Sequence, residues 1–156
     1  MKATDLLKKQ HREVKGLFKK IDKTENAGER RKLMETIAQE LQMHSTIEEE
    51  IFYPAIREIE SKKAEKMVDE AFEEHHVVKL VLAELPKVDP DDKRFEAKMT
   101  VLSELVEHHV EEEESEMFKI AEKLGADRLS TLADEMTSAA NGHGEDDAPA
   151  ERKAKR

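Results

Sequence analysis

The stretch Leu102-Ser-Glu-Leu-Val-Glu-His-His-Val-Glu-Glu-Glu-Glu-Ser-Glu-Met-Phe-Lys-Ile120 places Leu102, Leu105, Val106, Met117 and Ile120 on one stripe, and His109 and Glu113 fall on it too. Steps of three and four residues are the period of an α-helix facing a core. An imidazole and a carboxylate therefore point, one turn apart, to where apolar side chains belong. Working outward, Asp89-Pro90-Asp91-Asp92 reads as the start of this helix: a capping carboxylate, a proline at the first helical position and acids in the first turn. Gly125 reads as its stop.

The rest of the chain repeats the pattern. A first helix is expected from about Thr4 to Lys23, with Leu7, His11, Val14, Leu17, Phe18 and Ile21 on one face. After a turn at Thr24–Gly28, a second begins near Glu29 and aligns Leu33, Ile37, Leu41, His44, Glu48, Ile51 and Phe52. Pro54 inside that stripe predicts a bend or break, with helix resuming to about Glu60. Ser61 is the expected N-cap of a third helix facing inward through Val68, Ala71, Phe72, His75, Val78, Val81, Leu82 and Leu85, and Pro86 ends it. A short amphipathic fifth helix, roughly Asp127 to Ala140, would cap one end of the bundle through Leu129, Leu132 and Met136. The expected fold is all-α, an up-down-up-down four-helix bundle over residues 1–140. Residues 141–156 read as a disordered polar tail.

Composition agrees and excludes much else. Charged residues make up 41% and aromatics 4%, which suits long amphipathic helices and leaves little for strands. A net charge of −10 argues against nucleic acid as a partner, since phosphate binding needs a clustered basic surface. No apolar run reaches the length of a membrane span, and the first ten residues hold no apolar stretch of signal-peptide length. A cytoplasmic location is the expectation. With no cysteine, thiolate metal sites and thiol catalysis are out.

A weak internal repeat organises the polar inner-face residues. A shift of 64 lays His11 on His75, Val14 on Val78 and Lys15 on Lys79; a shift of 65 lays His44 on His109 and Glu48 on Glu113. The chain is thus two helix hairpins, each offering His and then His-x-x-x-Glu. Burying an unsatisfied polar group costs roughly 2–7 kcal/mol, and a charge more. Six such groups, His11, His44, Glu48, His75, His109 and Glu113, call for a common partner, and a pair of metal ions is the simplest one. Imidazole with carboxylate suits iron, manganese or zinc. One glutamate from each half can bridge two ions, with two histidines on each, leaving positions for an oxo or hydroxo bridge, water or a small molecule. In the doublets His75-His76 and His108-His109, the apolar register selects His75 and His109. His76 and His108 are then surface groups or partners of the ligands, His143 is solvent-exposed, and Tyr53 packs in the core or at its rim.

These motifs make the chain similar to the hemerythrin family, specifically its bacterial HHE cation-binding branch. The resemblance covers roughly residues 3–140 and rests on Gln10-His11-Arg12-Glu13, on His44-x-x-x-Glu48 with Glu-Glu-Ile-Phe-Tyr-Pro after it, on Glu73-Glu74-His75 and on His109-Val-Glu-Glu-Glu113. It implies a four-helix bundle holding a non-haem di-iron site bridged by both carboxylates. Oxygen-carrying members have a fifth histidine one turn after the third-helix ligand, where this chain has Lys79. Their fourth-helix acid is an aspartate five residues after its histidine, whereas Glu113 follows His109 by four. These departures imply an extra open position on one iron rather than simple oxygen transport.

The resulting expectation is a di-iron protein that binds or reacts with O2, peroxide or NO, or that buffers or senses iron. As an enzyme, its expected reaction is peroxide decomposition. The competing readings are a metal-free helical interaction module and a zinc-only structural site.

Overall fold

Four rods and a fifth helix account for the architecture. The computed structural model describes the backbone of residues 1–146 and the side chains of residues 1–142. Its α-helices are α1 (Ala3–Asp22), α2 (Ala27–Ile47), α3 (Tyr53–Arg57), α4 (Lys62–Glu84), α5 (Lys93–Glu112), α6 (Phe118–Ala121) and α7 (Ala126–Asp146), and no strand occurs among the described residues. A π-helical turn, Glu48–Phe52, joins α2 to α3, and a second, Glu113–Met117, joins α5 to α6. The rods α1, α2–α3, α4 and α5–α6 form the up-down-up-down bundle, and α7 packs against α1 and α2. No described helix is long and apolar enough to cross a membrane.

Local chemistry sets the boundaries. Asn26 caps α2 by accepting from the Glu29 N–H at 3.0 Å, so this helix begins earlier than Glu29. Ser61 caps α4 as expected, accepting from Ala64 N–H at 2.9 Å. The cap of α5 is Asp92, which accepts from Arg94 N–H at 2.9 Å. Asp89 instead closes the preceding turn on Asp91 N–H, which leaves Pro90 outside the helix. Gly125 ends the fourth rod with φ 91°, a conformation that favours glycine. Pro54 does not break the second rod. It follows directly on the first wide turn, and the helical pitch changes there instead.

The fifth helix is not short. It continues through residues 141–146, which had read as tail, while 147–156 lie outside the described residues. Leu129, Leu132 and Met136 are buried as expected.

The core has two apolar halves. One gathers Ala3, Leu7, Phe52, Ile56, Val68, Phe118, Leu129 and Met136. The other gathers Val14, Phe18, Ile21, Met34, Ile37, Leu82, Phe95 and Leu102. Each large side chain so buried contributes about 1.5–3 kcal/mol. Between the two halves, at the level of His11, His44, His75 and His109, the interior turns polar.

Candidate metal centre

All six inward polar groups are buried: the four histidines are 4–7% exposed, Glu113 2% and Glu48 0%. They sort into two groups of four donors that share both carboxylates. In the first, His11 Nε2 lies 3.2 Å from Glu113 Oε1 and His44 Nε2 lies 3.2 Å from Glu48 Oε2. In the second, His75 Nε2 lies 3.1 Å from Glu48 Oε1, and His109 Nε2 lies 3.1 Å from Glu113 Oε2. Each glutamate thus offers one oxygen to each group.

The other ring nitrogens are all held. His11 Nδ1 is 2.7 Å from Glu114, His75 Nδ1 2.7 Å from Glu49, His109 Nδ1 2.6 Å from Glu74 and His44 Nδ1 2.7 Å from the Gln10 side-chain oxygen. A carboxylate or amide oxygen there takes the Nδ1–H and leaves Nε2 as the inward donor. These partners obey the internal repeat. Gln10 and Glu74 each precede a histidine of one helix and hold that of its hairpin mate, while Glu49 and Glu114 follow the two inner glutamates and hold histidines of the other hairpin.

Tyr53 packs in the core as expected, but its hydroxyl reaches the site, which sequence reasoning missed. Fully buried, its hydroxyl lies 2.5 Å from Glu113 Oε2, 3.0 Å from Glu48 Oε1, 3.3 Å from His75 Nε2 and 3.4 Å from His109 Nε2, inside the second group. In an unbroken α-helix, five residues advance about 500°, leaving Tyr53 some 140° away from Glu48. Here the Tyr53 N–H bonds to the Glu48 carbonyl, and this i→i+5 turn brings the ring back over the carboxylate. The second hairpin does the same: Phe118 N–H bonds to the Glu113 carbonyl. Phe118, the counterpart of Tyr53, stacks on His11 with ring centroids 6.0 Å apart and supplies no hydroxyl.

Electrostatics couple the groups. Burial pulls His11, His75 and His109 toward the neutral form, but the facing Glu113 and Glu48 carboxylates outweigh it and raise all three pKa values. Burial pushes Glu48 up, yet His44, His109 and His75 hold it well below its usual range. Glu113, pushed up by burial and by Glu48, is nonetheless held low by His109 and His11. Burial, then Glu113 and Glu48, drives the Tyr53 hydroxyl well above its usual range. Without metal, protons on His11, His75 and His109 offset the carboxylates.

The donor set fits a pair of cations. His11 Nε2 faces Glu113 Oε1 and His44 Nε2 faces Glu48 Oε2 at 3.2 Å without the alignment of a hydrogen bond, and these are the four donors of the first group. Leaving a buried polar atom unsatisfied costs about 1–3 kcal/mol. Ligands about 2.1 Å from a common ion and at right angles to each other are about 3.0 Å apart, close to the spacings found.

The remaining sequence candidates lie elsewhere. His76 is exposed and His108 has 66% of its side chain exposed, while the side chain of His143 lies outside the described residues. Half-exposed Lys79 places Nζ 3.3 Å from Glu49.

Comparison with known proteins points the same way. The sequence profile of the hemerythrin HHE cation binding domain matches residues 2–121. An uncharacterized protein of Mycobacterium tuberculosis is 31% identical over 118 residues, covering 75% of this chain and 70% of that one. A DNA nickase of Nostoc sp. is 26% identical over 140 residues; the match covers 89% of this chain but 39% of the nickase. Among solved structures, the hemerythrin HHE cation binding domain-containing protein of Mycobacterium kansasii superposes with a TM-score of 0.83 at 25% identity, covering 99% of this chain and 95% of that one.

Proposed function

The chain belongs to the hemerythrin HHE cation-binding family, and from that premise we propose that it holds two iron ions in the buried cluster and exposes one of them to a small ligand: O2, peroxide or NO. His11 and His44 would hold one ion, His75, His109 and the Tyr53 oxygen the other, with Glu48 and Glu113 shared. Bound there, the ions supply the redox chemistry that the side chains lack.

The observation that carries the small-ligand reading is the asymmetry between the halves. Tyr53 fills the side of His75 and His109, whereas Phe118 leaves the His11 and His44 side without an oxygen donor. Between the four histidines lies a cavity of about 30 Å³, walled also by Val14, Leu41, Val78, Val106 and Val110 with Gln10 and Ser45, and it opens to both halves. That exceeds the roughly 10–15 Å³ that one water needs, so the cavity admits a species of two or three atoms. Its apolar wall disfavours water. Val106, Val110 and His11 also line a groove of about 490 Å³ on the outside of α1 and α5, which gives a route inward.

The protein's own groups have defined work. Glu114, Gln10, Glu49 and Glu74 hold the four imidazoles with Nε2 inward. Glu48 and Glu113 bring two negative charges into a dry core, where they offset cationic charge. Without metal Tyr53 keeps the proton on its hydroxyl, 2.5 Å from Glu113, and releases it where the oxygen binds a ferric ion. The DNA nicking named for the Nostoc relative does not transfer, because the match covers only 39% of that protein and a net charge of −10 opposes contact with phosphates.

The test is to load the protein with iron anaerobically, mix it separately with O2, peroxide and NO, and follow the spectrum. A stable adduct or turnover with at least one supports the reading, and peroxide turnover would make it an enzyme. An iron-loaded spectrum inert to all three, with full zinc loading, would instead favour a structural site.

A further inference from the structure

We propose that Glu74, His108 and Glu112 form a third, outer cation site on α4 and α5, through which divalent metal reaches the buried pair. The proposal rests on the reading of the buried cluster as a metal centre. One donor atom from each of the three residues lies within 4.8 Å of the others. His108 Nε2 is 3.5 Å from Glu112 Oε2 and 3.8 Å from Glu74 Oε2.

Two further observations tie this cluster to the interior. Glu74 faces both ways: one oxygen is near His108, and the other is 2.6 Å from Nδ1 of His109, a residue of the buried cluster. In addition, a cavity of about 70 Å³ has Glu70, Glu74, Glu112 and Glu116 among its walls and reaches His109 and Glu113. Glu113 is 2% exposed and is shared by both donor groups, so this passage ends on a carboxylate of the buried cluster. An outer ligand group, an acid-lined passage and an inner acceptor are thus contiguous.

The chemistry selects the cargo. One imidazole with two carboxylates suits divalent iron, cobalt, zinc or manganese better than copper(I) or calcium. Asp69, Glu70 and Glu73 surround the mouth and concentrate cations there. Arg57 pairs with Asp69 at 2.8 Å and Lys63 approaches Glu116 at 3.8 Å, so neither cation competes for Glu74 or Glu112. The side chains of His108, Glu112 and Glu74 are 66%, 42% and 28% exposed, and three half-wet donors bind weakly enough to pass an ion on.

The experiment mixes metal-free full-length protein with Co²⁺ in a stopped-flow instrument and records the cobalt absorption bands. Single variants His108→Ala and Glu112→Gln are compared with wild type, with circular dichroism confirming their fold. The expected result is the same final cobalt content in all three, with filling slowed roughly tenfold in each variant. His108→Ala removes no negative charge, so slowing there cannot come from a weaker field. If Glu112→Gln alone slows filling, or neither variant does, the outer site is overturned while the buried centre stands. If wild type takes up no cobalt, the buried centre itself fails.

Discussion

Replacing Tyr53 by Phe removes one oxygen from a fully buried ring and changes little else. The hydroxyl has one proton, given to Glu113 Oε2 at 2.5 Å or Glu48 Oε1 at 3.0 Å, so one charge-assisted hydrogen bond is lost rather than two. Both oxygens keep a histidine at 3.1 Å, which limits the damage. A hydrogen bond to a charged group contributes about 1.5–3 kcal/mol, and the metal-free variant should be less stable by that amount. For a chain of this size that lowers Tm by about 3–12 °C. The assay is urea unfolding of metal-free protein at neutral pH, where the midpoint should fall while the slope stays constant. With ferric iron loaded, any phenolate-to-iron charge-transfer band of the wild type should also disappear. A stability loss under about 0.5 kcal/mol, with an unchanged iron spectrum, would refute the placement of Tyr53 inside the cluster.

Two other outcomes are expected. Glu48→Ala removes the shared carboxylate from beside His44, His75 and His109; it should abolish metal retention and cost about 3–5 kcal/mol even without metal, whereas His76→Ala should leave metal content near wild type in the same elemental analysis. In the pH dependence, the raised pKa values of His11, His75 and His109 give stability that is complete below about 6.5 and is lost as pH rises through the raised values. The lowered values of Glu48 and Glu113 give stability that is present above about 4.5 and lost as pH falls through them. Thermal melts of metal-free protein should therefore peak between those limits and fall by pH 8.5. Metal must displace the histidine protons, so occupancy should fall as pH drops below neutral, which dialysis with metal analysis would detect. A metal-free protein that gains stability up to pH 8.5 would contradict the coupling.

The six inward donors could be read from the sequence because each sits on an apolar stripe, and the doublets resolved correctly for the same reason: His76 and His108 fall on polar faces. Tyr53 and Phe118 could not, because stripe counting assumes one pitch and both follow a π turn that adds a residue to the cycle. The signal for Tyr53 was its place in the repeat opposite Phe118, a buried aromatic. Gln10, Glu49, Glu74 and Glu114 each adjoin one of the six in the chain, and the shifts of 64 and 65 pair Gln10 with Glu74 and Glu49 with Glu114. The start of α5 was misplaced because Asp89 and Asp92 are both competent caps, and turn geometry chose between them. The length of α7 was underread because glycines at 142 and 144 resemble a helix stop.

The central claim is that these buried imidazoles and carboxylates are tolerated because they share two cations. The most direct measurement is elemental analysis of protein purified without a chelating tag and reconstituted anaerobically with ferrous iron. About two irons per chain, lost on substitution of Glu48, is the predicted result. No retained metal of any kind, in a protein that stays folded, would contradict it.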